Sequence, residues 1–217
     1  MESPSISRPL TVREQVAHSI RDEIVSGRLE QGKPIQQDEL AARLGVSRTP
    51  VRQALERLAA EGWVEDRPNR AAIVAPLDPD DCEVLFAIRA ELECLAAARS
   101  LPLLDDDGRS AIKRAHADLV KADNAHYEAT HRAFHMTIYA RAGARLVSLI
   151  ERQFDQAERY LRFERVRMEV GDDDRTEHEA IAQAAVQDDI DALVSTLRPH
   201  VAEGGQDIAT RLRNTQR

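Results

Sequence analysis

The stretch "ELAARLGVSRTPVRQALERLAAEG", residues 39–62, constrains the fold more than any other, because it closes one helix and opens the next within three residues. Leu40 and Leu44 stand one turn apart and face inward on a short helix that begins near Asp38. Gly45 then offers the left-handed backbone at which helices commonly close. Ser47 is placed to cap the next helix, where Pro50 is tolerated in the first turn and Val51, Leu55 and Leu58 share the inner face, until Gly62 ends it. Two helices joined this tightly must cross at a steep angle, as in a helix-turn-helix.

The flanking sequence completes a small domain. Upstream, "TVREQVAHSIRDEIVSG" (Thr11–Gly27) has Thr11 and Glu14 in capping-box spacing and Val12, Val16, Ile20 and Ile24 on one stripe. Downstream, "WVED" and "AAIVAPL" flank "RPNR" and read as a two-stranded hairpin with Asn69 at its tip. Helix, helix, turn, helix, hairpin is the order of a winged helix-turn-helix. In that arrangement Arg48, Thr49 and Arg52 lie on the outer face of the third helix, as donors suited to phosphates and guanine edges, with Arg67 and Arg70 at the hairpin tip. The competing reading is an ordinary solvated helix face. The tight turn and the basic hairpin favour DNA.

The net charge of −8 does not oppose this, because it is unevenly spread. Residues 1–76 carry 11 basic and 11 acidic side chains, so all of the net charge falls in residues 77–217. That acidic half is expected to point away from nucleic acid.

From Asp78-Pro79 the pattern turns almost purely helical. Helices are predicted at about 79–100, 105–123, 125–141, 144–168, 175–187 and 189–212, with connections short enough to make neighbours antiparallel. The expected fold class is therefore mainly α: a winged helix-turn-helix over 1–76 and an all-α antiparallel bundle over 77–217. Cys82 and Cys94 fall in one helix, separated by a rise of about 18 Å. They cannot bridge each other and read as small apolar fillers. No apolar run is long enough to span a bilayer, and Met1–Leu10 does not read as a signal peptide, so a cytoplasmic location with no membrane partner is expected.

Within the helical half, "HRAFH" puts His131 and His135 one turn apart, while His178 and His200 lie on later helices. Facing helices of a bundle build metal sites from such residues, and neutral imidazole suits zinc, nickel, iron or copper. Isolated histidines in helices are also ordinary half-buried polar groups, and spacing alone leaves both readings open. A hydrolytic metal centre fits poorly, because "HRAFH" lacks the glutamate of H-E-x-x-H and four protein ligands leave no place for an activated water.

Two resemblances sharpen this. "LGVSRTPVRQALERLAAEGWV" resembles the winged helix-turn-helix signature of GntR-type bacterial transcription regulators. That resemblance implies operator contacts by Arg48, Thr49 and Arg52, and minor-groove contacts by Asn69 and Arg70 at the wing tip, although "RPNRAA" stands where the family often has glycines. Residues from about 79 to 212 are similar to the all-helical effector domain of the FadR branch, the FCD type, through Arg89 with Glu93, "HRAFH", "EHEAIAQA" and His200. There an aspartate and three histidines bind a divalent metal, which implies ligand roles for His135, His178 and His200, with His131 at the aspartate's position.

Imidazole in place of a carboxylate leaves the ion its full positive charge and makes an all-nitrogen site, favouring zinc or nickel. Four-histidine coordination is expected; the alternative is a three-histidine site with His131 turned away. Arg89 is the expected effector ligand, since an arginine fork matches a carboxylate at two points, unless it only pairs with Glu93 four residues on. The resulting expectation is a homodimeric repressor on double-stranded operator DNA, controlled by a small organic acid at the metal. Its rivals are a metal-sensing regulator and a metal-free one that binds a larger acyl ligand.

Overall fold

The computed structural model describes residues 10–68, 70–123, 126–165 and 172–215, and the chain divides into two compact units, Met1–Pro76 and Leu77–Arg217. In the first unit, α1 (Val12–Val25) opens on the anticipated capping box: Thr11 Oγ1 accepts from the Glu14 amide at 3.3 Å and the Thr11 amide donates to Glu14 Oε2 at 2.7 Å. Helix α2 (Gln37–Leu44) ends at Gly45, whose φ of +66° is the left-handed closure that a side chain would strain. Helix α3 (Arg48–Ala60) follows after the short turn. Ser47 occupies the cap position with extended backbone, but its hydroxyl makes no capping hydrogen bond; the residue is exposed, so water can serve the first amides of α3.

The hairpin is shorter than its apolar runs: β1 (Val64–Glu65) pairs antiparallel with β2 (Ile73–Val74), in the register Val64 to Val74. The segment before α2 adds a partner that periodicity did not reveal. The Gly32 amide donates to the Val74 carbonyl at 2.9 Å, the Val74 amide to Lys33 at 3.2 Å and the Ile35 amide to Ala72 at 2.7 Å. This satisfies the outer edge of β2 and ties the connector to the wing. Ile20, Ile35, Leu40, Val51, Leu58 and Trp63 form the core beneath. Ion pairs bind the helices together around it. Arg21 of α1 meets Glu61 just after α3, Arg57 holds the same carboxylate at 2.7 Å, and Arg43 of α2 forks onto Glu23 of α1.

The second unit is all helical among its described residues: α4 (Pro79–Ser100), a short 3₁₀ turn Leu101–Leu103, α5 (Asp106–Lys121), α6 (Tyr127–Ile138), α7 (Ala144–Arg165), α8 (Asp172–Gln187) and α9 (Ile190–Thr215). Asp78 and Asp105 cap α4 and α5 by accepting from the amides of Asp80 and Gly108 at 2.9 and 2.8 Å. Helix α8 begins at Asp172, three residues earlier than its apolar pattern indicates. Helix α9 continues through Pro199 to Thr215, with one main-chain bond to Ser195 forgone. No helix among the described residues is long and apolar enough to cross a membrane.

The most extensive packing is between α4 and α9, the first and last helices of the bundle. Cys82 and Cys94 lie buried along it, their Sγ atoms 3.7 and 4.0 Å from the carbonyls of Gly205 and Val194. Burial pushes their thiols up to about 12 and about 11, away from redox or metal chemistry. Gly205 sets how close the helices come, since a β-carbon there would lie 2.3 Å from Cβ of Phe86. Gly205→Ala should therefore destabilise this unit by about 1–3 kcal/mol through overpacking. Gly204→Ala, with open space around it, should stabilise by up to about 1 kcal/mol through helix propensity alone. Paired thermal melts of the two variants check this, and equal shifts would remove Gly205 as the spacer.

Candidate functional site

Helix α3 buries Val51, Ala54, Leu55 and Leu58, which turns Arg48, Thr49 and Arg52 outward, all exposed. Both arginines rest on carboxylates. Arg48 Nε pairs with Asp38 of α2, and Arg52 Nη1 donates to Glu56 Oε1 at 2.7 Å, one turn along α3. On the wing, Arg67 lies 3.8 Å from Glu65 and Arg70 is exposed, its amide donating to the Arg67 carbonyl at 3.0 Å. Asn69, expected at the wing tip, falls outside the described residues. The outer face of α3 thus offers guanidinium donors at a helix N-terminus, a combination suited to phosphate and base edges.

In the second unit the four histidines meet. His131 and His135 project from α6, His178 from α8 and His200 from α9, and one ring nitrogen from each lies within 4.8 Å of the others. The rings of His131 and His135 are 4.6 Å apart between centroids, and those of His178 and His200 4.5 Å. His135 Nε2 lies 3.4 Å from His178 Nε2. A tetrahedral ion with bonds near 2.05 Å spaces its donors by about 3.3 Å, so this pair already has the separation of two ligands on one zinc-like ion. His131, at the position where the resembled pattern has aspartate, stays with the cluster.

The outer nitrogens are held as a ligand shell requires. Glu177 Oε2 accepts from Nδ1 of His200 at 2.6 Å, and that hydrogen bond draws the Glu177 carboxyl below its usual range. Nδ1 of His135 lies 3.3 Å from the hydroxyl of Tyr139, which donates to Glu93 Oε2 at 2.8 Å. Burial first, and then the neighbouring histidines, hold His135 well below the usual histidine range, so at neutral pH its imidazole is uncharged and able to bind an ion. Burial and the adjacent Glu93 push Tyr139 well above its usual value, so it keeps its proton. The donor set therefore fits a divalent transition metal.

Arg89 of α4 is only 3% exposed, and its Nε donates to Glu93 Oε1 at 3.0 Å. Its guanidinium carbon sits 4.8 Å from the Phe86 ring centre and 4.2 Å from that of Phe154. The intrahelical pair with Glu93 is thus present, and through Glu93 and Tyr139 it is linked to the histidine cluster. Sequence reasoning passed over Tyr139 and Glu177. Tyr139 stands four residues beyond His135, as His135 stands four beyond His131, so one more turn of the same count reaches it. Glu177 precedes His178 yet serves His200, a pairing that no spacing within α8 reveals.

Comparison with known proteins agrees with this division. The profile described as "Bacterial regulatory proteins, gntR family" matches residues 12–74, and that of the FCD domain matches residues 84–203. Over 86 residues the chain is 43% identical to the "Probable D-xylose utilization operon transcriptional repressor" of Paenarthrobacter nicotinovorans, covering 40% of this chain and 38% of that protein. Over 95 residues it is 30% identical to the HTH-type transcriptional repressor RspR of Escherichia coli K12, covering 44% and 42%. The chain thus spans about two fifths of the length of these curated relatives. A crystal structure of a GntR family transcriptional regulator from Pseudomonas syringae pv. tomato DC3000 is 32% identical, with TM-score 0.57, and covers 94% of this chain and 87% of that one. The chain belongs to the GntR family of bacterial transcription regulators, DNA-binding proteins rather than enzymes, and its second unit is an FCD domain.

Proposed function

We propose that this regulator is a dimeric repressor whose hold on operator DNA is released by a small organic acid acting at a divalent metal site in the helical unit. The observation that carries the reading is the convergence of His131, His135, His178 and His200 from three helices, with the outer nitrogens of His135 and His200 already engaged. Two relatives whose names state repression support the sign of the response.

In this reading His131, His135, His178 and His200 hold zinc or nickel, the metals that an all-nitrogen donor set favours. When bound, the ion would supply an undiminished positive charge in a buried setting; with imidazole on all four tetrahedral positions, it would attract a carboxylate through that charge or as an added fifth ligand. Arg89 offers the same anion a planar fork, in competition with Glu93. A ligand changes DNA affinity only so far as it binds the DNA-competent and incompetent arrangements differently. The dimer is supported by Val84, Ile88 and Leu95, which stand exposed along one side of α4. Arg48, Thr49 and Arg52 are assigned to the operator's major groove, and Asn69 and Arg70 to the minor groove.

Replacing Arg48 and Arg52 together by alanine should weaken binding to an operator selected from random duplexes by at least about tenfold, since a bidentate base contact contributes about 1–3 kcal/mol. Fluorescence anisotropy reads the loss, and circular dichroism should show an intact helical fold. Undiminished affinity would remove α3 as the reading helix.

Elemental mass spectrometry of the tag-free protein should find about one transition metal per chain, and much less in His178→Ala. His135, held below the usual histidine range, does not compete with the ion by taking a proton near neutral pH; occupancy should fall on acidification, as protons compete with the ion for ligand nitrogens. A protein without metal after remetallation would overturn the site.

A further inference from the structure

We infer that Tyr139 is a positioning residue for the histidine site: it holds His135 in the tautomer that turns a free Nε2 lone pair inward, and it connects that ligand to Arg89 through Glu93. The inference rests on reading the histidines as metal ligands.

The argument is one of donors and acceptors. A tyrosine hydroxyl has a single proton. Here that proton goes to Glu93 Oε2 at 2.8 Å, so toward His135 the phenolic oxygen can only accept. The ring atom 3.3 Å away is Nδ1, which must then carry the hydrogen, leaving Nε2 with the lone pair that faces His178 at 3.4 Å. Glu93 does not do this unaided, because its nearer oxygen lies 3.9 Å from Nδ1, beyond hydrogen-bond distance. The hydroxyl bridges the gap. Glu93 is fully buried and is held on its other oxygen by Arg89 at 3.0 Å. The result is one chain, Arg89 to Glu93 to Tyr139 to His135, with each member nearly or fully buried and therefore little screened by water. An arginine drawn away from Glu93 by an anion alters the acceptor of Tyr139, and with it the support given to His135.

The test uses the full-length protein and zinc alone, titrated in competition with a chromogenic chelator. Tyr139→Phe keeps the ring and removes the bridge, and should weaken zinc binding by about 10- to 100-fold with the helical content unchanged. Wild-type affinity in Tyr139→Phe overturns the inference while leaving the metal site standing. A wild-type protein that binds no zinc overturns both. Long-range proton–nitrogen NMR of the apo wild type needs no variant: a hydrogen on Nδ1 of His135 is expected, and a hydrogen on Nε2 alone overturns the assignment.

The link to Arg89 is read by a double-mutant cycle. Arg89→Lys should change zinc affinity in the wild-type background, and that change should shrink to less than about twofold in the Tyr139→Phe background. An equal change in both backgrounds overturns the connection.

Discussion

The close approach of α4 and α9 is the constraint on which the helical unit depends. These helices are the first and last of the bundle, so their pairing joins the two ends of the unit. It places Arg89 and Glu93, from α4, in the same interior as His200, from α9. A glycine facing Phe86 permits the spacing, and the two buried thiols fill the seam without adding a polar demand that the carbonyls beside them cannot meet. Helices α6 and α8 then supply the remaining imidazoles. The histidine cluster is thus a product of tertiary packing, and only the His131–His135 pair is local to one helix.

The DNA-binding unit is held differently. Its core is small, and charged side chains near it bind one helix to the next: Arg21 and Arg57 share Glu61, while Arg43 meets Glu23. Breaking one partner of such a semi-buried pair is costly because it strands the other, so these pairs fix the angle between the helices more than they add to stability. The Gly32–Ile35 connector lying against β2 has a comparable effect on the wing, whose two strands are only two residues long.

Much of this was legible in the sequence because it is local. The α1 capping box, the closure at Gly45, the apolar faces of the first three helices and the six later helices all follow from spacings of three or four residues. What escaped depends on partners distant in the chain or on termini with no apolar pattern. The strand-like connector pairs through its backbone and carries no alternation, α8 begins at Asp172 ahead of its apolar residues, and the exposed Ser47 hydroxyl makes no capping hydrogen bond. At the histidine site the four imidazoles could be named from the resemblance. Their supporting groups could not, because Tyr139 and Glu177 act across packed surfaces: Glu177 reaches a histidine of the next helix, and Tyr139 joins α6 to a carboxylate of α4.

The carboxylates beside Arg48 and Arg52 have a consequence for how such a surface searches a genome. An exposed ion pair contributes at most about 1 kcal/mol, so neither Asp38 nor Glu56 can lock its arginine away from DNA. Each nonetheless takes a fixed toll on leaving, whatever the DNA sequence. A lone phosphate contact barely exceeds that toll, whereas a bidentate grip on guanine, about 1–3 kcal/mol, exceeds it clearly. A neutral DNA-binding unit of this kind releases fewer counterions on random duplex than a strongly basic one would, and it dwells there more briefly. Under the proposed assignment of Arg48 and Arg52 to the major groove, residence time concentrates at the few sites where both would find a base edge.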